Sequence, residues 1–291
     1  MSAKVMNAKV LIIGCGDLGT EIAVRLQKQG YEIIGVRVSD KALPDGMQTL
    51  QADVTQVETL TELVQIQADY LIYCVAGSSQ NAAQVDESYR LHYVAGLRHA
   101  LATQQTNAQL KHVFFVSSTR VYGQKTDGIL DELTPAIPCD VAGEHLLEAE
   151  RLLKDLHCSA TALRLSGIYG PGRTRMLNLA LQPDLWPQQN SWTNRIHRDD
   201  AAEFTVFLIN QRQQQKSIED CYIVTDSQPT TQYEALSWIA KQNNRMADVL
   251  TPPIAGGKRL SNKLMLQSGF NLKYPNYQVG YSQLLSLTIN I

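Results

Sequence analysis

The buried-looking run Val10-Leu11-Ile12-Ile13 passes directly into Gly14-Cys15-Gly16-Asp17-Leu18-Gly19. A continuous apolar run rich in β-branched residues reads as a strand covered on both faces. From Asp17 to Gln29, Leu18, Ile22 and Leu26 recur at helical spacing, and Gly30 stands where a helix would stop. The glycines therefore join a first strand to a first helix, which is the context a G-x-G-x-x-G turn needs to hold a dinucleotide. Gly14 allows the tight turn, Gly16 lets the backbone approach a pyrophosphate, and Gly19 lets helix and strand pack closely. The free N–H groups of the helix start face the phosphates. Cys15 reads most simply as a small residue that a tight turn tolerates.

The following segments alternate strand and helix. Strands are expected at 32–37, 50–54, 69–75, 112–116 and 160–165, and helices at 55–65, 86–105 and 141–156. Further on, 199–210 and 231–242 read as helices and 221–225 as a strand. The fold class expected is α/β: a Rossmann-like doubly wound parallel sheet with helices on both faces, plus a smaller C-terminal substrate region. Residues 1–170 would form the nucleotide-binding domain, with 195–225 returning to it. Residues 171–194 and 226–291 would form the smaller region.

Composition narrows the function. The chain has 291 residues, 44% hydrophobic and 19% charged, with a formal net charge of -2. No basic stripe suggests nucleic acid. No apolar stretch is long enough for a membrane span, and the N-terminus lacks a signal-peptide core. The five cysteines form no C-x-x-C pair and match no metal template, so no metal is expected and a reducing cytoplasm is.

The end of the second strand separates the two nicotinamide dinucleotides. An acid there bonds a ribose 2′-hydroxyl, while a cation accepts a 2′-phosphate. Arg37 occupies this place, so the cofactor is NADP or NAD, with NADP favoured. An ordinary surface arginine is the alternative. Asp53 either reaches the adenine or caps a turn.

Three later blocks, taken with the glycine turn, carry a family resemblance. They are Val116-Ser117-Ser118-Thr119-Arg120-Val121-Tyr122-Gly123, Leu163-Arg164-Leu165-Ser166-Gly167-Ile168-Tyr169-Gly170-Pro171-Gly172 and Arg195-Ile196-His197-Arg198-Asp199-Asp200-Ala201-Ala202. The chain resembles the extended branch of the short-chain dehydrogenase/reductase superfamily, the NAD-dependent epimerase/dehydratase family. The resemblance implies a cofactor lying across the carboxyl ends of the strands. That brings in Val75, Ala76, Gly77 and Ser117 beside the glycine turn. It also implies a substrate that is most commonly a nucleotide sugar, with Ser118 as the catalytic serine.

The family's Tyr-x-x-x-Lys pair is missing. Aligned on Leu147-Glu148-Ala149-Glu150, its places fall on Ala142 and Leu146. The usual asparagine of the preceding helix falls on Tyr93. The resemblance is thus to an atypical member. Tyr93, His145 and Tyr122 are the candidate proton donors, against packing roles or solvent exposure for each. Arg173 and Arg195 are candidates for a substrate pyrophosphate, against ordinary surface ion pairs. Trp186 and Trp192 either stack a ligand or fill the small region's core.

The expected protein is an NAD(P)-binding oxidoreductase acting on a small polar substrate, possibly a nucleotide sugar. The alternatives are a non-catalytic NADP(H) sensor and an NADPH-dependent reductase of a non-sugar carbonyl. No nucleic-acid or membrane partner is expected. The resemblance makes a homodimer through the two long helices the default assembly, with a monomer as the alternative because Glu144, Glu148 and Arg151 give the second helix a charged face.

Overall fold

The structure, a computed structural model, describes residues 8–77, 84–243 and 249–288. Ser78 and Ser79, which with Ala76 and Gly77 end the apolar run at 69–75, lie outside the described residues. The chain divides into two compact units. The first comprises the described residues of Met1–Gly123, Ala136–Arg164 and Ala202–Tyr222; the second, those of Gln124–Pro135, Leu165–Ala201 and Ile223–Ile291.

The central sheet uses β1 (Lys9–Ile13), β2 (Glu32–Arg37), β3 (Gln48–Gln51), β4 (Tyr70–Tyr73) and β5 (His112–Ser118). These five pair in parallel in the order β3-β2-β1-β4-β5. Beyond β5 the sheet is completed by two later strands, Ser159–Leu165 and Cys221–Val224. The β1 and β4 strands are almost fully buried and, but for Lys9, apolar or aromatic throughout, as strands sandwiched between helices must be. From β1 the chain runs to β2 and β3 on one side, then returns to β4 and β5 on the other. The carboxyl ends of β1 and β4 therefore flank the point where strand order reverses, which is where α/β sheets hold ligands.

Helix α1 (Asp17–Lys28) follows β1 and buries Leu18, Ile22 and Leu26. Gly30, at φ +90°, ends it. The third strand lies earlier than expected. Asp53 closes a turn, its Oδ1 accepting the Thr55 amide at 2.9 Å and the Thr55 hydroxyl at 2.8 Å, and that turn removes 52–54 from the strand. The helix expected at 55–65 is 3₁₀ over Val57–Gln65.

The long helix expected at 86–105 is interrupted. It consists of α2 (Val85–Tyr89), a π-helical stretch over Arg90–Ala95, and α3 (Gly96–Thr103). The Tyr73 hydroxyl donates to the His92 carbonyl, taking up an oxygen inside the bulge. Helix α4 (Val141–Leu152) is capped by Asp140, whose side chain accepts the Gly143 amide at 2.8 Å.

The second unit pairs the short strand Ile129–Leu130 with Arg259–Leu260, and Gly167–Tyr169 with Arg195–His197. The first of these pairings explains why Gln124–Pro135 belongs with this unit although the sequence suggested otherwise. The helices Arg175–Ala180, Gln232–Gln242 and Tyr277–Thr288 enclose a core of Tyr169, Trp186, Tyr233, Leu236, Ile239 and Tyr281. Thr231 caps the helix Gln232–Gln242 by accepting the Glu234 amide at 3.2 Å. Trp186 is core here, its Nε1 donating to the Leu179 carbonyl at 2.9 Å.

Candidate cofactor and active site

The glycine turn is built around β1, β2 and β4. The amides of Gly14 and Cys15 both donate to the Val36 carbonyl, at 3.0 and 2.9 Å. Gly14 has φ +98°, and a Cβ there would lie 2.6 Å from the Cys74 and Val75 backbone. Only glycine fits that place. A Cβ on Gly19 would lie 2.4 Å from the Gly14 carbonyl oxygen, so α1 rests on the turn itself. Gly16 is different. Nothing lies within 4 Å of where its Cβ would be, and it caps α1 without any side-chain hydrogen bond. The helix start is thus open where a pyrophosphate would lie. Leu18 packs inward, while Asp17 stands exposed in the first turn of α1. The Cys15 thiol is buried and donates to the Ile12 carbonyl at 3.4 Å. Burial pushes it up to about 12, so it stays protonated.

At the end of β2, the Arg37 Nε is buried and has no hydrogen-bond partner. Arg37 as a whole is half-buried at the carboxyl end of β2, where a cation would face the ribose end of a dinucleotide. Asp53 is engaged in its own turn, as described above. Val75, Ala76 and Gly77 form the loop beyond β4. The turn, Arg37 and this loop belong to one unit and together fit a nicotinamide dinucleotide.

The expected catalytic residues occupy the same unit. Ser118 ends β5, half-buried, its hydroxyl oxygen accepting the Arg120 amide at 3.2 Å. The preceding Ser117 is buried and donates to Glu150 at 2.6 Å. Tyr93 lies in the π-helical stretch. Burial, then the Tyr89 phenol, pushes Tyr93 up to about 12, with a Gly77 backbone hydrogen bond working the other way. Tyr122 is fully buried, and its hydroxyl accepts from Arg164. His145 Nε2 lies 2.7 Å from Asp86 Oδ1 and so links α4 to α2. Ala142 and Leu146 are both fully buried.

One arrangement escaped the sequence. Arg120 Nε donates to Asp140 at 2.9 Å, and its Nη1 reaches the Tyr89 hydroxyl at 3.4 Å. The Tyr89 and Tyr93 rings lie 5.0 Å apart. An aspartate just before an amphipathic run is a cap signal that could have marked Asp140, but nothing in sequence joined Arg120 to Tyr89.

In the second unit, Arg173 closes the Gly170 turn through its amide, at 3.0 Å. Arg195 is buried on the strand Arg195–His197. Among the described residues, no group of three or more His, Cys, Asp or Glu could hold a metal. No described helix is long and apolar enough to cross a membrane.

Residues 10–223 match the profile of the NAD dependent epimerase/dehydratase family. The chain belongs to that family. A solved structure from Methylobacillus flagellatus, assigned as an NAD-dependent epimerase/dehydratase, is 47% identical with a TM-score of 0.88, covering 97% of this chain and 99% of that one. Protein YeeZ of Escherichia coli K12 is 30% identical over 177 residues, which are 57% of this chain and 60% of YeeZ. The Thermus thermophilus UDP-glucose 4-epimerase, solved with NAD, shares the fold at a TM-score of 0.76 and 18% identity, over 94% of this chain and 96% of that one. The epimerase/dehydratase family is NAD-dependent, and the Rossmann-like fold expected from the sequence is the fold observed.

Proposed function

We propose that this protein is an NADP-preferring oxidoreductase of the epimerase/dehydratase type, acting on a sugar nucleotide through an atypical site. The observation that carries the cofactor preference is the cationic Arg37, half-buried at the end of β2. A 2′-phosphate would supply its acceptor, whereas NAD offers only a hydroxyl there. Held by the glycine turn and Arg37, a nicotinamide dinucleotide would supply hydride-transfer chemistry at a substrate carbon. Ser118 orients the oxygen on that carbon, its own oxygen being held by the Arg120 amide. The sugar-nucleotide class rests on family membership and on the UDP-glucose epimerase fold.

The test has two parts. Fluorescence titration with NADPH and NADH should give tighter NADPH binding; equal or tighter NADH binding sinks the preference. A screen of sugar nucleotides, followed at the nicotinamide absorbance, should reveal turnover.

A second reading is favoured by Ala142 and Leu146. Both are fully buried aliphatic residues and neither can move a proton. If the cofactor binds and every substrate in the screen is inert, the protein is a binding module for NADP(H) rather than an enzyme.

A further inference from the structure

Helix α4 packs against β5 and walls one side of the neighbouring strand Ser159–Leu165. The helix that follows this strand in the first unit packs on α1 instead, with Arg25 2.6 Å from Glu203 and the Tyr31 hydroxyl 2.8 Å from Asn210. Between α4, Ser159–Leu165 and the edge strand Cys221–Val224 lies a cavity of about 580 Å³. Strands β5 and β4 separate it from β1, so it is distinct from the glycine turn. Its volume falls in the range of small-molecule sites, about 300–1,000 Å³.

The lining follows from strand and helix periodicity. Side chains two apart on a strand share a face, so Ala160, Ala162 and Arg164 form the floor together, and the two alanines give it depth. Along α4 and the turn after it, Leu147, Arg151 and Lys154 recur at helical spacing and form the wall. Leu153 and Leu156 extend its apolar part. All three leucines are only half-buried, which leaves a connected apolar surface open to water.

Charge is unevenly placed around this surface. On the floor, Arg164 pairs with Glu150 at 2.6 Å. Glu150 also accepts from Ser117, and Arg164 reaches the Tyr122 hydroxyl, so that pair is closed on itself. Arg151 and Lys154 are exposed and form no ion pair among the described residues. Against these two cations, the lining holds one further carboxylate, Asp220.

We infer that this cavity binds a small organic anion with an apolar body, of the aryl or medium-chain carboxylate class. The body lies over Ala160 and Ala162 against the leucines, and the carboxylate meets Arg151 and Lys154. Apolar burial holds the ligand. The two cations select its charge, since an exposed ion pair contributes little by itself. A polyhydroxylated ligand fits poorly, because the floor and wall offer it few polar partners. The site stands apart from the hydride chemistry proposed above and does not depend on it.

The experiment is saturation-transfer NMR on the full chain with naphthoate, naphthamide and naphthylmethylammonium, one anionic, one neutral and one cationic. NADPH is present throughout to fill the dinucleotide site, and its affinity for each protein reports on folding. Wild type is compared with Ala160→Leu, which fills the floor, and with the double variant Arg151→Glu, Lys154→Glu, which changes only exposed side chains. Naphthoate should bind wild type at least threefold more tightly than either other probe. Ala160→Leu should weaken all three probes at least threefold. The double variant should abolish the preference for naphthoate, with NADPH affinity unchanged. No probe binding to a wild type that binds NADPH, equal binding of all three probes, or an undiminished preference in the double variant overturns the inference. The double variant keeps the test decisive if Ala160→Leu fails to fold.

Discussion

Arg164 and Glu150 face each other as a two-pronged pair, with Nη2 2.6 Å and Nε 3.0 Å from the carboxylate oxygens. Their side chains are only 11% and 9% exposed. Ser117 also donates to Glu150, and the remaining arm of Arg164 reaches the Tyr122 hydroxyl. The pair therefore fastens the end of β5, next to Ser118, onto α4. Glu150→Ala strands a buried guanidinium. Urea unfolding should show a loss of about 3–5 kcal/mol; a loss below about 1 kcal/mol, the scale of an exposed pair, would mean the pair is not buried as described.

Gly14→Ala puts a Cβ where the Cys74 and Val75 backbone already stands, at a positive φ. The turn must shift, at a cost of about 1–3 kcal/mol. NADPH binding should fall at least tenfold. Gly16→Ala is the control: its Cβ meets nothing of the protein, so stability should hold while binding still falls.

Arg37→Leu should erase the preference for NADPH. A charge-assisted hydrogen bond contributes about 1.5–3 kcal/mol, so NADPH affinity should drop at least tenfold. NADH affinity should change less than threefold. Parallel titrations decide this, and equal losses for both cofactors would give Arg37 a structural role instead.

Two buried groups set opposite pH slopes. Asp226 is held up at about 7 by burial, against about 3.9 in an unfolded chain. Between those values the folded state binds the extra proton, so stability falls as pH rises from about 4 to 7. His112 is driven down to about 3, first by burial and then by Arg212, against about 6.5 unfolded. There the unfolded chain binds the extra proton, so stability falls as pH drops from about 6.5 to 3. Thermal melts should show Asp226→Asn gaining most over wild type above pH 7. His112→Gln should gain most below pH 4. A pH-independent offset in either variant would refute the assignment.

The sequence made the nucleotide-binding half legible because its signals are local. A β-branched run, three spaced glycines and an amphipathic helix are read within one short stretch of chain, and the turn was found where expected. The Thr231 cap rests on an equally local signal, a threonine opening an amphipathic run. The third strand was misplaced because an Asp–Thr turn outranked β-propensity at Asp53. The π-helical stretch was invisible, since it depends on Tyr73, remote in sequence, donating to His92. The same holds for Arg120 with Tyr89. These are meetings between distant segments, and no periodicity encodes them.

Cys15 lies inside the glycine turn with its thiol buried and bonded to the Ile12 carbonyl. Peroxide and alkylating reagents attack thiolates at accessible sulfur, and this sulfur is neither ionised near neutrality nor exposed. The protein thus carries sulfur at the centre of its glycine turn without the chemical vulnerability that sulfur usually brings. Oxidative stress that inactivates thiol-dependent dehydrogenases should leave dinucleotide binding here intact.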